Sequence, residues 1–133
     1  MDKNALILVV DDNSECRRLL EWILELHGFR TISAACGLDA VKLAIDSQPS
    51  LVLMDIGLPG LDGWQASRML KADPATAAIP VVVLTAEAGP DVRERALAAG
   101  ADAYLTKPFD PNEMIRVVRE LASATPLAPP SSP

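Results

Sequence analysis

Five polar residues follow short apolar segments of the chain, and their chemistry suits a phosphoryl group and a metal ion. They are Asp11, Asp12, Asp55, Thr85 and Lys107. Carboxylate oxygens are ligands that Mg²⁺ prefers, and a carboxylate can also act as a nucleophile and form an acyl phosphate. An ammonium group neutralises the negative charge that spreads over the phosphoryl oxygens during transfer, and a hydroxyl can donate a hydrogen bond to one of them. These residue types indicate phosphoryl-transfer chemistry, provided that the fold brings them together.

The apolar segments before these residues are short and unbroken, which is typical of strands that are buried on both faces of a parallel sheet. We predict five strands: Ala5–Val10, Phe29–Ala34, Leu51–Met54, Val81–Leu84 and Ala103–Leu105. Stretches with helical spacing alternate with them, and we predict five helices: Ser14–His27, Leu38–Ser47, Trp64–Lys71, Asp91–Ala99 and Pro111–Ala124. Gly28 ends the first helix as a left-handed cap.

This alternation of strand and helix predicts an α/β fold in which right-handed crossovers place helices on both faces of a parallel sheet. Because there are five strands and no dinucleotide-binding fingerprint, we expect the flavodoxin-like strand order 2-1-3-4-5 in a three-layer α/β/α sandwich. The functional crevice of such a sheet lies beyond the carboxyl ends of its strands. The first and third strands are then neighbours, so Asp11, Asp12 and Asp55 meet. Their mutual repulsion destabilises the fold unless a cation neutralises it.

Composition narrows the class of protein. The chain has 133 residues, half of them hydrophobic, which predicts one domain over residues 1–124. Residues 125–133 are rich in Pro and Ser and predict a flexible tail or a linker cut from a longer protein. The net charge of −6 argues against direct nucleic-acid binding, and no apolar run approaches the ~20 residues that span a membrane. Cys16 and Cys36 are too few for a disulfide scaffold and are interpreted as core residues, so we expect a cytoplasmic protein.

The segments at the strand ends also resemble those of a known family. They are Val9-Val10-Asp11-Asp12, Asp55-Ile56-Gly57-Leu58-Pro59-Gly60-Leu61-Asp62-Gly63, Val83-Leu84-Thr85-Ala86, Gly100-Ala101-Asp102-Ala103-Tyr104 and Leu105-Thr106-Lys107-Pro108-Phe109. Over about Leu6–Leu121 the chain resembles the receiver domains of two-component response regulators, the CheY-like family. Each segment alone is a weak signal, whereas five of them in order at strand ends form a specific one.

The resemblance implies a role for each residue of the acidic site. Asp55 is the phosphoacceptor and receives a phosphoryl group from a histidine kinase or a phosphotransfer protein. Asp12 ligates Mg²⁺ directly, Asp11 does so directly or through water, and the backbone carbonyl of Gly57 completes the protein ligands with Asp55. Lys107 pairs with the phosphoryl group and precedes a cis peptide bond to Pro108.

The resemblance further implies a conformational switch. Thr85 moves towards the phosphoryl group and the ring of Tyr104 turns inward behind it, which alters the surface of the fourth helix, fifth strand and fifth helix and so controls a partner. The first helix and the loop Lys107-Pro108-Phe109 are the expected docking surface for the phosphodonor. Gly57 and Glu87 lie near the route of an attacking water and depart from the common pattern, so the lifetime of the phosphate cannot be inherited from the family.

Other readings of these residues stay open. Asp11-Asp12 alone is typical of a helix N-cap, and Asp55, Thr85 and Lys107 each have an ordinary structural role. A metal-dependent phosphohydrolase usually places a second Asp where this chain has Gly57, a flavodoxin-type electron carrier needs a less acidic first loop, and a constitutive scaffold needs no phosphate. We expect a switch that catalyses only its own phosphorylation and autodephosphorylation, as a monomer or an activation-dependent dimer.

Overall fold

A five-stranded parallel sheet forms the middle layer of the protein. The computed structural model describes residues 5–55, 63–86 and 90–123. The strands are β1 (Leu6–Val10), β2 (Arg30–Ala34), β3 (Leu51–Asp55), β4 (Val81–Thr85) and β5 (Ala103–Thr106). The helices are α1 (Ser14–Leu26), α2 (Gly37–Ser47), α3 (Gly63–Ala72), α4 (Pro90–Ala98) and α5 (Pro111–Ser123).

The strands lie in the order β2-β1-β3-β4-β5, which confirms the predicted flavodoxin-like topology. All four strand pairs are parallel. The central strands β3 and β4 are buried along their whole length because helices cover both faces of the sheet. The boundaries found within the described residues lie within one residue of those predicted. The predicted end of α5 at Ala124 and the predicted tail, residues 125–133, lie outside the described residues.

Successive side chains of each strand enter two separate cores, one on each face of the sheet. From β1, Ile7 and Val9 join the core that contains the buried residues of α1 and α5. Leu8 and Val10 join the core that contains those of α2 and α3. The strands β3 and β4 are apolar until their last residues, Asp55 and Thr85, so these strands bring polar side chains into the buried region only at their carboxyl ends. No helix within the described ranges is long and apolar enough to cross a membrane.

Capping residues define both ends of α1. The Asn13 side chain accepts a hydrogen bond of 2.9 Å from the Cys16 N–H and so caps the helix N-terminus. His27 caps the other end, and Gly28 follows with a φ of 92°, a left-handed conformation that glycine adopts without strain. Gly28 therefore ends the helix as predicted.

The interpretation of the two cysteines as core residues is wrong, since Cys16 and Cys36 are both exposed. The sheet covers a narrower stripe of α1 than the apolar pattern of the sequence indicates, and only Leu20, Ile23 and Leu24 of that helix are buried. Cys16 lies on the uncovered part of the same helix, and Cys36 precedes α2 as its capping residue. The first helix therefore keeps an apolar face in contact with solvent.

Candidate functional site

The strand register brings the polar residues to one edge of the sheet. Val10 of β1 is paired with Met54 of β3, so the next residues, Asp11 and Asp55, end neighbouring strands. Thr85 is the last residue of β4, and its carbonyl accepts a hydrogen bond of 2.8 Å from the N–H of Lys107, which follows β5. The structure thus places Asp11, Asp55, Thr85 and Lys107 at the carboxyl ends of four strands.

Asp55 and Lys107 form an ion pair at the centre of this edge. The Lys107 Nζ donates to the Asp55 Oδ2, and the Asp55 residue is only 4% exposed. The Lys107 side chain is about one third exposed, so its ammonium group lies between the buried carboxylate and solvent. The Lys107–Pro108 peptide bond is cis, as the sequence predicted. A buried carboxylate is thereby held at a solvent boundary beside a cation.

Asp11 is the second buried carboxylate, and it is 2% exposed. Its Oδ1 accepts a hydrogen bond of 2.9 Å from the Asn13 N–H, while its Oδ2 accepts none from any residue that the structure describes. Burial and the nearby negative charge of Asp55 raise the pKa of Asp11, against the opposing effects of the Asn13 hydrogen bond and the Lys107 charge. Asp11 therefore has a buried carboxylate oxygen to which no group in the described residues donates a hydrogen bond.

The predicted meeting of three carboxylates is only partly found. Asp12 is exposed, and the described part of the chain contains no group of three His, Cys, Asp or Glu side chains able to hold a metal ion. Consecutive residues at a strand end project to different sides, which agrees with the burial of Asp11 and the exposure of Asp12. Asp11 and Asp55 still offer the hard oxygen donors that suit Mg²⁺, and the unpartnered Oδ2 of Asp11 fits such an ion. Gly57 lies outside the described residues.

Arg17 is a residue of the site that sequence reasoning missed. Its Nη1 donates a hydrogen bond of 2.8 Å to the backbone carbonyl of Asp11. The Asp11 N–H donates in turn to the Ala34 carbonyl at 3.1 Å. Arg17 follows Asp11 by six residues and lies on the first turns of α1. That position after a strand-end acid is the one feature of the sequence that indicates a role for Arg17 at the site. The side chain holds the backbone that carries both Asp11 and Asp12.

Replacing Arg17 by Ala is expected to weaken Mg²⁺ binding about tenfold, because groups that orient metal ligands typically contribute that much to affinity. Isothermal titration calorimetry measures the effect. Arg18→Ala is the matched control, since Arg18 is an exposed neighbour and its loss changes the net charge equally. Loss of a positive charge by itself strengthens Mg²⁺ binding, so weaker binding in Arg17→Ala is not an effect of the charge. Equal affinities in the two variants contradict a positioning role for Arg17.

The two residues of the expected switch lie on adjacent strands. Thr85 is 1% exposed, and Tyr104 of β5 is half-buried and packs against the core on the α2 and α3 side of the sheet. Tyr104 is paired with Val83, two residues before Thr85. A change at Thr85 therefore has a short route to the ring of Tyr104, whose switch role stays a prediction. Glu87 lies outside the described residues.

A groove with a volume of about 720 Å³ opens from the acidic site along α1. Its lining joins the site to the exposed apolar face of α1 and to the segment after β5: Asp11, Cys16, Leu19, Leu20, Trp22, Ile23, Asp55, Leu84, Lys107, Pro108, Phe109 and Pro111. These are the two regions that the sequence predicted to dock the phosphodonor. We name this feature the α1 groove.

Comparison with known proteins agrees with this geometry. A family model described as the response regulator receiver domain matches residues 7–119. The phosphate regulon transcriptional regulatory protein PhoB of Pseudomonas aeruginosa is 36% identical over 119 residues, which are 90% of this chain and 52% of PhoB. The protein PilH of the same species is 40% identical over 114 residues, which are 86% of this chain and 94% of PilH. The chain thus spans about half the length of PhoB and nearly all of PilH.

Solved structures agree as well. The receiver domain of the sensor histidine kinase PA1611 from Pseudomonas aeruginosa PAO1, with a magnesium ion coordinated in its active site cleft, superposes with a TM-score of 0.83. It is 35% identical, over 91% of this chain and 99% of that domain. Fold, strand-end residues and family model all lead to one assignment: the chain belongs to the response regulator receiver domain family.

Proposed function

We propose that this chain is a phosphorylation-activated signalling switch that accepts a phosphoryl group on Asp55 with the help of Mg²⁺. The donor is a histidine kinase or a histidine phosphotransfer protein, consistent with the two-component family to which the chain belongs. One observation carries the proposal: a buried carboxylate at a strand end lies beside a lysine and next to Asp11, a second buried carboxylate with an unpartnered oxygen. Two buried carboxylates beside one ammonium group leave an excess of negative charge. A bound Mg²⁺ ion neutralises that charge and allows a phosphoryl group to enter.

The chemistry follows from the positions of the side chains. An Asp55 carboxylate oxygen attacks phosphorus, and the bond between phosphorus and the donor atom breaks. The Lys107 ammonium then pairs with a phosphoryl oxygen, and the Thr85 hydroxyl donates to another. Asp11, Asp12, Asp55 and the Gly57 carbonyl would hold Mg²⁺, which supplies positive charge to the phosphoryl oxygens when it is bound.

The response to phosphate starts at Lys107 and Thr85. A phosphoryl group on Asp55 competes with the Asp55 carboxylate oxygen for the Lys107 ammonium, and it attracts the Thr85 hydroxyl. The phosphorylated protein therefore favours one of two packings of β4 against β5. Because Tyr104 stands in β5 beside β4, the repacking reaches the surface of α4, β5 and α5, where it controls a partner. The same chain later loses the phosphate by attack of water, at a rate that Gly57 and Glu87 influence.

In this proposal the protein catalyses only its own phosphorylation, with the phosphodonor as the other reactant, and its own dephosphorylation, and it works as a monomer or an activation-dependent dimer. The receiver domain occupies residues 1–124, and residues 125–133 form the flexible tail or linker. The chain itself does not bind nucleic acid, in line with its net charge of −6.

The proposal is tested by incubating the protein with acetyl phosphate, with either Mg²⁺ or EDTA present. Intact mass spectrometry is expected to find one added phosphoryl group with Mg²⁺ and none with EDTA. Hydroxylamine is expected to remove the group, since it cleaves an acyl phosphate and leaves a phosphate ester intact. No mass gain with Mg²⁺, or a gain that resists hydroxylamine, refutes the proposal.

Replacing Lys107 by Ala is expected to slow phosphoryl transfer about 100-fold, because it removes the cation that faces the developing charge. Mg²⁺ affinity is expected to stay the same or to increase, since a competing positive charge is gone. The rate is followed by intact mass at saturating Mg²⁺.

Lys71→Ala is the matched control because the chain contains a second Lys–Asp pair. Lys71 Nζ lies 2.9 Å from Asp102 Oδ2 and donates to the Ile79 carbonyl at 2.8 Å. Asp102 directly precedes β5, so this pair lies at the amino ends of the strands, opposite to the site. This variant is expected to melt at a lower temperature and to be phosphorylated at the parent rate. Similar rates in Lys107→Ala and the parent contradict the role of Lys107.

A further inference from the structure

We propose that the α1 groove makes this chain an acceptor for small acyl phosphates with an aromatic acyl group, which react directly with Asp55. The inference rests on the proposed function, because it needs Asp55 as the nucleophile. It adds a substrate class that the acidic site alone does not define.

The wall of the groove contains apolar side chains that nothing else in the described structure covers. Leu19 is 48% exposed and Trp22 is 60% exposed, and they lie three residues apart on one face of α1. Phe109 and Pro108 face them from the segment after β5. An apolar wall of this kind gains free energy when an apolar ligand removes it from water. Leu38 and Leu97 are equally exposed but belong to no part of this groove.

The inner end of the groove has the opposite character. Asp55, Asp11 and Lys107 line it, so the apolar wall and the phosphoryl site share one continuous space. A fitting ligand therefore has an anionic end for Lys107 and the metal and an apolar end for Trp22 and Leu19. The volume of about 720 Å³ lies within the range of pockets that bind small molecules, roughly 300–1,000 Å³. An acetyl group leaves most of the wall uncovered, whereas an aromatic ring covers much more of it.

The reaction balances without any further reagent. An Asp55 carboxylate oxygen forms a bond to phosphorus, and the bond between phosphorus and the acyl oxygen breaks. The acyl group leaves as a carboxylate that keeps the electron pair of the broken bond. No proton, oxidant or reductant is needed, and the products are phosphorylated Asp55 and the aromatic carboxylate.

The test compares benzoyl phosphate with acetyl phosphate at equal Mg²⁺. Both leaving groups are carboxylates of similar basicity, so their intrinsic reactivities are close. We expect benzoyl phosphate to react roughly five- to tenfold faster at low donor concentration, because its ring is partly buried in an open groove. Initial rates from intact mass give the ratio of the two donors.

Variants of the wall locate the effect. Trp22→Gln and Leu19→Gln keep good helix formers at exposed positions and are expected to bring the ratio of the benzoyl phosphate rate to the acetyl phosphate rate close to one. Leu26→Gln is the matched control, since Leu26 is exposed on the same helix but does not line the groove.

Three outcomes overturn the inference. A ratio near one in the parent, with acetyl phosphate still reacting, overturns it and leaves the proposed function intact. A high ratio that survives both wall variants overturns it too, since the groove is then not the binding site. Failure of both donors to react overturns the proposed function together with the inference.

Discussion

Asp55→Asn is expected to take up phosphoryl groups at least about 1000-fold more slowly than the parent, because the substitution removes the nucleophile itself. Asn has the shape of Asp and keeps a carbonyl oxygen for the Lys107 ammonium, so the fold persists. Incubation with acetyl phosphate and Mg²⁺, followed by intact mass, measures the loss. Circular dichroism of the same sample confirms that the variant is folded.

A second acid that pairs with a lysine in the described part of the chain supplies a matched control. Asp102 pairs with Lys71 and its Oδ2 also accepts a hydrogen bond of 2.8 Å from the Val81 N–H. Asp102→Asn is therefore expected to lower the melting temperature and to be phosphorylated at the parent rate. Uptake by Asp55→Asn that equals the parent's refutes the assignment of the phosphoacceptor. Loss of uptake in Asp102→Asn shows that the assay responds to stability instead of chemistry.

The sequence was sufficient to predict the fold and the strand-end positions of the site for one physical reason. Strands buried on both faces require unbroken apolar runs, so the first polar residue after each run marks where the strand leaves the core. Asp55 and Thr85 are the last residues of β3 and β4 and follow such runs directly. Parallel strands then place these residues at one edge.

Other features depend on side-chain directions and tertiary contacts that a linear pattern does not contain. The exposure of Asp12 next to the buried Asp11 depends on which way each side chain turns after β1. The hydrogen bond from Arg17 to the Asp11 carbonyl needs the angle between α1 and the sheet. The exposed apolar face of α1 appears in the sequence as core, because Cys16 lies four residues before the buried Leu20 and Leu19 lies four residues before the buried Ile23.

Asp11→Asn is expected to stabilise the protein while it disables the site. The native carboxylate is buried and lies near Asp55, and one of its oxygens accepts no hydrogen bond from the described residues, so its charge opposes folding. Asn keeps an oxygen for the Asn13 N–H and removes the charge. We expect a gain of about 1–2 kcal/mol in the free energy of unfolding. For a domain of this size that gain raises the melting temperature by roughly 3–6 °C.

The difference in stability between the parent and Asp11→Asn is expected to depend on pH in a direction that the raised pKa of Asp11 determines. Its pKa is raised in the folded protein above the ordinary value of 3.8, so the folded state binds the proton more tightly than the unfolded state does. The parent therefore loses stability as pH rises through that raised pKa, and the Asn variant does not. The advantage of Asp11→Asn is expected to be largest at neutral pH and to vanish below about pH 3.8.

Function is expected to move in the opposite direction to stability. Loss of the Asp11 charge weakens Mg²⁺ binding by at least about tenfold and slows phosphoryl uptake at a fixed, low Mg²⁺ concentration. Asp12→Asn is the matched control for stability, since Asp12 is exposed and its melting temperature is expected to stay within about 1 °C of the parent's. A lower melting temperature for Asp11→Asn at neutral pH contradicts the prediction. In that case the charge of Asp11 is already compensated in the free protein. Repulsion between the two buried carboxylates is then not the reason that the site binds a cation.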